Sequence, residues 1–323
     1  MSTEPGSSPS AASGTHPDGH APLKADADVL SPLASSGETY NTALNFYRLF
    51  TRPSTILSRH HLTAQVDPDR CSFPLIAYCF ITGLIDAVSY STVFVWAGFQ
   101  TGNTVQLSIA LARLFQPDRG PVTFQLADRH ALTSLTCFMG GSYIGRLGNH
   151  LGDTTRAWLM LGTFVQTLFT MAAALTAWKS GQASVSPARG DVAWTDATTF
   201  VALGFMSASM GLQAIMGKRM NTEYATTVVL TTVFSELVAQ KDLFTIRRRV
   251  SSRDHRILSI ALLFFGGFSG RAIIQAAGAP TALGVGTGIR LIITLWWLFV
   301  PEKEQGKPPG QGRTFPDADI ECG

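Results

Sequence analysis

The sequence predicts an all-α membrane protein, a polytopic helical bundle of six to eight spans built from two repeats. Three observations carry that expectation. Long apolar stretches follow one another from Phe73 to Val300, and LIITLWWLFV (Leu291 to Val300) and VFVWAGF (Val93 to Phe99) have no polar face, whereas a buried helix of a soluble protein normally keeps one. Lys and Arg collect in alternate loops. Short motifs of the first half recur, in the same order, in the second.

Taken in order, residues 1–44 are rich in Ser, Pro, Ala, Gly and Asp and are expected to form a disordered polar tail. Residues 45–72 carry Arg48, Arg52, Arg59 and Arg70 and suit a juxtamembrane segment. No charged region followed by a short apolar one opens the chain, so insertion is expected to begin with the first internal span. Eight apolar stretches lie near 73–98, 102–116, 131–149, 157–178, 197–217, 223–240, 257–277 and 281–300. A span needs about 20 mostly apolar residues, which leaves the second short and the sixth marginal. As re-entrant or tilted half-helices they would lower the count to six or seven. The first membrane repeat is expected over 73–178, a cytoplasmic linker over 179–196, the second repeat over 197–301, and a second disordered tail over 302–323.

With eight spans and the N-terminus inside, the cytoplasmic side holds 18 of the placed Lys and Arg residues against 5 opposite. Such a bias puts both termini in the cytoplasm. The basic run TIRRRVSSRDHR (Thr245 to Arg256) then serves as a topology anchor on anionic lipid, and no nucleic-acid partner is expected. Cys71, Cys79, Cys137 and Cys322 have neither metal-ligand spacing nor a disulfide framework, and Cys322 does not stand where a prenylation box needs it.

The repeat rests on three matches in register. Gly141-Ser-Tyr-Ile-Gly145-Arg146 corresponds to Gly266-Gly-Phe-Ser-Gly270-Arg271, and Asn103-Thr104-Val105 to Thr226-Thr227-Val228. The second match lies 38 residues before the first Gly in one half and 40 in the other. Upstream, Leu84-Ile85-Asp86-Ala87 is set against Gly211-Leu212-Gln213-Ala214. Four true spans per half make the repeats parallel, and short stretches that do not cross make them inverted.

Polar residues inside the spans supply the candidate site. Tyr78, Thr82, Asp86 and Tyr90 recur at i, i+4 and share a helix face. A carboxylate at mid-span costs roughly 2.5–3.5 kcal/mol on insertion scales, so Asp86 must face the bundle interior or a wet cavity; it serves a function, bonds neighbouring helices together, or caps a break in the helix. Thr101-Gly102-Asn103 is either a capped turn or a helix N-terminus aimed at an anionic group. Thr104 and Ser108 share a face, as do Thr227 and Thr231, and hydroxyls there can also bond back to their own helix. Gln213, with Ser209 one turn before it, is the neutral counterpart of Asp86. The glycines Gly141, Gly145, Gly266 and Gly270 are expected to pack helices closely. Arg146 and Arg271 lie near span ends and should snorkel. Arg290 is deeper, so it either starts its helix late or pairs with an acid, Glu236 and Asp86 being the candidates. GVGTG (Gly284 to Gly288) lacks the strand that a dinucleotide fingerprint needs, His60-His61 has no companion ligands, and no nucleophile–base pair is recognisable. No cofactor, metal or catalytic residue is expected.

Phe80-Ile-Thr-Gly83-Leu-Ile-Asp86-Ala87, Phe94 and Gln100-Thr101-Gly102-Asn103-Thr104-Val105 together resemble the first-repeat signature of the YoaK-like membrane proteins, domain of unknown function 1275. The likeness runs over roughly Leu75 to Pro301, and the long polar N-terminal tail is similar to that of fungal members. It implies an integral membrane protein, usually described with six spans, and delivers no substrate. The expected function is a carrier of a small metabolite or ion in contact with the lipid bilayer, with its site around Asp86, Asn103, Gln213 and Thr227. The rival is a non-transporting scaffold or partner subunit whose polar stripes only hold helices together; an intramembrane enzyme is a third alternative without a catalytic pair to support it.

Overall fold

Helices form wherever the apolar stretches lack Gly–Pro punctuation, and the breaks between them carry the special backbone. The computed structural model describes residues 58–115, 124–221, 227–228, 230–241, 243–244 and 250–303. The tails, Arg48, Arg52, Arg119, Thr226 and the arginines at 247–249 lie outside the described residues. The helices are α1 (Arg59–Thr63), α2 (Ser72–Val93), α3 (Gln100–Leu114), α4 (Leu126–Ile144), α5 (Gly148–Leu151), α6 (Arg156–Ser180), α7 (Ala197–Arg219), α8 (Thr231–Val238), α9 (Ser251–Ala277) and α10 (Ala279–Trp296). Two short 3₁₀ helices (Pro68–Arg70 and Gly145–Leu147) and isolated bridges accompany them among the described residues.

Five of these, α2, α6, α7, α9 and α10, are long and apolar enough to cross a membrane. The chain is therefore a multi-pass membrane protein. Large apolar side chains on their outer faces, such as Trp178, Phe264 and Phe268, are exposed, as contact with lipid demands and water does not favour. α4 carries Asp128, Arg129 and His130 in its first turns and is the sixth long helix.

The ends have local causes. Phe94 adopts φ 54°, closing α2 in the left-handed region. Thr155 caps α6 by accepting from the Trp158 N–H, and Gly181 at φ 64° ends it. Asp128 and Gln125 form a capping box at the start of α4. Gly278 at φ 86°, followed by Pro280, separates α9 from α10 with no loop between them.

Two rims hold the helix ends together. At one, Val66 N–H donates to Thr154 O and Asp67 N–H to Pro301 O, Arg156 donates to His61 O and Val300 O, and Arg219 donates to Gly145 O and pairs with Asp153 at 2.6 Å. That rim therefore gathers the start of α2, the end of α4, the start of α6 and the ends of α7 and α10. At the other, Ser186 N–H donates to Ser91 O, Ala193 N–H to Thr92 O and Ala279 N–H to Ser184 Oγ. The segment expected as a linker over 179–196 is thus folded back on the end of α2, with Trp194 buried.

Glycines set the closest helix approaches. A Cβ on Gly83 of α2 would stand 2.0 Å from Leu263 O and 2.7 Å from Gly267 N of α9. On Gly211 of α7 it would stand 2.0 Å from Phe138 O and 3.0 Å from Ser142 N of α4. Gly266 and Gly141 return the contact, 2.0 Å from Phe80 O and 1.9 Å from Ala208 O. The packing role expected of Gly141, Gly145, Gly266 and Gly270 agrees with these approaches. Gly83 and Gly211 thus make like contacts, each against the backbone of a neighbouring helix. Backbone contact fixes register, while interchangeable apolar residues along a span leave it loose in the sequence.

Candidate functional site

Thr82, Asp86 and Tyr90 lie on one face of α2, as the i, i+4 spacing demands, and that face borders a cavity of about 500 Å³. Trp96 and Phe99 from the segment after α2, Val228 and Leu230 before α8, Thr231 and Phe234 in α8, and Leu263 and Gly267 of α9 complete its walls. Elements from both halves of the sequence meet there.

The opening segment between α2 and α3 explains why an acid is tolerated in so apolar a helix. After the left-handed Phe94, the chain turns back along α2. Asp86 Oδ1 accepts from the Gly98 N–H at 2.7 Å, and Ser89 Oγ accepts from the Ala97 N–H at 3.1 Å. Both amides would otherwise be unpaired inside the protein. Asp86 is 9% exposed. Its second oxygen, Oδ2, makes no hydrogen bond of good geometry among the described residues, although the Ala97 N–H, bonded to Ser89 Oγ, also bears on the carboxylate. No Lys or Arg pairs with it there either.

Asn103 is fully buried and locks the same segment from the other side. Its amide donates to Trp96 O (2.7 Å), Gln100 Oε1 (3.0 Å) and Ser134 Oγ (3.1 Å), and its Oδ1 accepts from Trp96 N–H. Ser134 bridges on to Trp96 O and Ser207. The break therefore lies over 94–99, and Phe99 occupies the N-cap of α3 without a side-chain cap. Of the two alternatives for Thr101-Gly102-Asn103, a capped turn or a helix N-terminus, the stretch forms the first turn of that helix, with the cap at Phe99. Thr101 and Thr104 are exposed, with Thr104 bonded back to Gln100 O, and neither joins the cavity.

Below Asp86 a polar chain crosses the interior. Thr82 Oγ1 donates to Thr227 O at 2.9 Å, and Gln213 Nε2 donates to Thr82 Oγ1 at 2.9 Å and to Tyr78 O at 3.2 Å. Gln213 Oε1 accepts from Arg290 Nη2 at 3.0 Å. Arg290, with no exposed surface, also donates to Gln166 Oε1 and lies 3.4 Å from Ser209 Oγ. Nearby, Tyr78 Oη meets Thr163 Oγ1 at 2.6 Å, and Trp297 Nε1 donates to the same hydroxyl at 3.0 Å.

The expected acid partner of Arg290 is not found. Glu236 is exposed and pairs with Arg256 at 3.3 Å, and Asp86 serves the Gly98 amide. Amide oxygens take the place of a carboxylate because α6 and α7 present Gln166 and Gln213 at that depth. Arg146 lies over the Tyr143 ring at 5.2 Å, and Arg146 and Arg271 are exposed, away from the cavity. The structure thus brings together Asp86, Thr82, Tyr90, Gln213 and Thr227, and separates Thr101, Thr104, Arg146, Arg271 and Glu236 from them. Gln166, Ser134, Trp96, Phe99 and Phe234 went unread in the sequence. Gln166 and Ser134 carried a usable signal, being polar residues in mid-span; the aromatic residues carried none, since aromatic residues abound in lipid-facing helices.

Comparison with known proteins adds one match. A family model described as a protein of unknown function, DUF1275, matches residues 75–296. No curated protein and no solved structure matches.

Proposed function

The chain belongs to the DUF1275 family of proteins of unknown function, and from that premise we propose that it is a carrier of a small metabolite or ion, rather than an enzyme, with its site at the Asp86 cavity. The single observation that carries the proposal is a carboxylate, nine-tenths buried and without a cationic partner among the described residues, beside a cavity walled by both halves of the chain. Intramembrane acids of this kind line substrate and ion paths.

The architecture we propose has six spans, α2, α4, α6, α7, α9 and α10, in two inverted repeats, with α3 and α8 re-entrant. At 15 and 8 residues these two helices reach about 22 Å and 12 Å, short of a hydrocarbon core of about 30 Å. Arg113 near the C-terminal end of α3 pairs with Asp128 at the start of α4, and Gln100 at its other end reaches Ser134, which supports a helix that returns to the side it came from. Matching contacts support the repeat: Gly83 with Gly211, Gly141 with Gly266, and Ser134 against Ser207 as Ser259 is against Cys79. Discontinuous helices meeting near the midplane at a repeat interface recur at transporter sites. With six spans, 17 Lys and Arg fall on the side of the two termini against 6 opposite, so both ends remain cytoplasmic. The 179–196 segment then moves to the far side.

A second reading, the scaffold, draws on Asn103, Thr82 and Gln213, whose polar groups are all spent on holding helices. Reconstituted vesicles separate the two. Solute flux that is lost in Asp86→Asn, with the melting temperature of the variant in detergent unchanged, is the expected result. A variant that melts early and a wild type that moves no solute and gains no stability from any of a broad metabolite panel would leave only the scaffold.

A further inference from the structure

We infer that the Asp86 cavity takes an organic ammonium ion, a protonated primary or secondary amine on an apolar body. The inference rests on the carrier reading for the location of the ligand and goes beyond it in naming the ligand's chemistry. Its first support is the charge. Asp86 spends Oδ1 on the Gly98 amide, and Oδ2 makes no hydrogen bond of good geometry among the described residues. The nearest buried cation, Arg290, is committed to Gln166 and Gln213. A buried carboxylate without a counter-charge carries a desolvation cost that a ligand bringing positive charge removes, and one bringing negative charge increases. A ligand N–H supplies the well-aligned donor that Oδ2 lacks, and a charge-assisted hydrogen bond is the strongest that can form there.

The second support is the wall. Tyr90 and Trp96 stack at 4.3 Å between ring centroids, 21° apart, and Trp96 and Phe99 meet edge to face at 6.4 Å. With Phe234 and Leu263 they form an apolar part of the cavity wall. A bare metal cation needs several oxygen ligands, and no group of three or more His, Cys, Asp or Glu side chains able to hold one occurs among the described residues. Aromatic faces suit an organic cation twice over, as apolar surface for its body and as quadrupoles for its charge. A cavity of about 500 Å³ lies within the range that small-molecule sites occupy.

The test uses the full chain purified in detergent, with thermal stabilisation as the readout. Phenethylammonium carries charge and N–H, benzyltrimethylammonium carries charge alone, and phenethyl alcohol carries neither charge nor N–H⁺. Stabilisation should set in at concentrations about tenfold lower for phenethylammonium than for phenethyl alcohol, with benzyltrimethylammonium between them. Asp86→Asn keeps an acceptor for the Gly98 amide and should erase the ranking. Trp96→Leu should weaken both cations and leave the alcohol unchanged. Equal responses to all three probes, or an unchanged ranking in Asp86→Asn, overturn the inference. Vesicle flux keeps it apart from the carrier reading: Asp86-dependent movement of neutral or anionic solutes without ammonium binding defeats only the ammonium assignment. Ranked ammonium binding with no flux of any solute supports the assignment and defeats only the carrier.

Discussion

Asp86 shows how one side chain can satisfy structure and stay available for function. One carboxylate oxygen closes the backbone of the 94–99 segment, and the other makes no hydrogen bond of good geometry among the described residues. Gln213 has no such reserve: its donor and acceptor are both used, toward Thr82 and Tyr78 and toward Arg290. Gln213→Leu therefore leaves the Arg290 Nη2 with only long contacts, to Ser209 Oγ at 3.4 Å and Met210 Sδ at 3.7 Å, and removes a donor from Thr82. Each stranded buried group costs about 1–3 kcal/mol, so a clear fall in melting temperature in detergent is expected, and an unchanged one would show that the chain across the interior is dispensable. His61 tests the rim that gathers the start of α2 and the end of α10. Burial, and after it the Arg156 charge, lower its pKa from the ordinary 6.5, and its Nε2 lies 3.1 Å from Leu298 O. Because the folded value is the depressed one, its contribution is whole above 6.5 and is lost as pH falls through the folded value. Wild type should lose melting temperature between pH 7 and pH 5 more steeply than His61→Gln; parallel curves would refute the assignment.

Among the elements, the long helices were the most legible. Apolar runs of span length identify themselves, because lipid leaves the backbone no partner outside its own helix. The boundaries moved where tertiary contacts intervened. α9 begins at Ser251 and α10 at Ala279, earlier than hydropathy alone indicates, since a polar first turn can sit at the rim. The short helices were legible as short and no further: 15 residues cross a bilayer when its surroundings thin and return when a neighbour caps them. Accessibility to an impermeant thiol reagent decides between these. In a chain without native cysteines, His60→Cys, ahead of α2, and Phe115→Cys, after α3, should label from opposite sides; labelling of both from the same side would make α3 a full crossing. The close helix pairs make a sharper prediction. Gly83→Val drives a side chain into the Leu263 carbonyl, and overpacking of about 1–3 kcal/mol or more should appear as lost monodispersity or a lowered melting temperature. Gly140→Ala, with open space around it, should leave both unchanged.

At the scale of the whole molecule, the proposed placement of both ends in the cytoplasm follows from the Lys and Arg bias with either six or eight spans, since the two counts exchange only a few loops between sides. Tags at the two termini should therefore be cleaved together by protease added to the cytoplasmic face of sealed vesicles, and cleavage of one alone would break the even-span arrangement. The sequence by itself determined the medium, the family and the acid in the membrane. The medium and the acid follow from composition along a single segment, where the cost of placing a polar group in hydrocarbon acts locally, and the family from the motif resemblance of Phe80–Ala87 and Gln100–Val105. Tertiary structure alone decided which polar residues meet. Arg290 finds two amides in place of an acid, Asp86 accepts from the Gly98 amide, and Asn103 turns inward while Thr104 does not. Those outcomes depend on how deep and how rotated each helix sits against its neighbours, and that is set by backbone contacts between residues far apart in the chain.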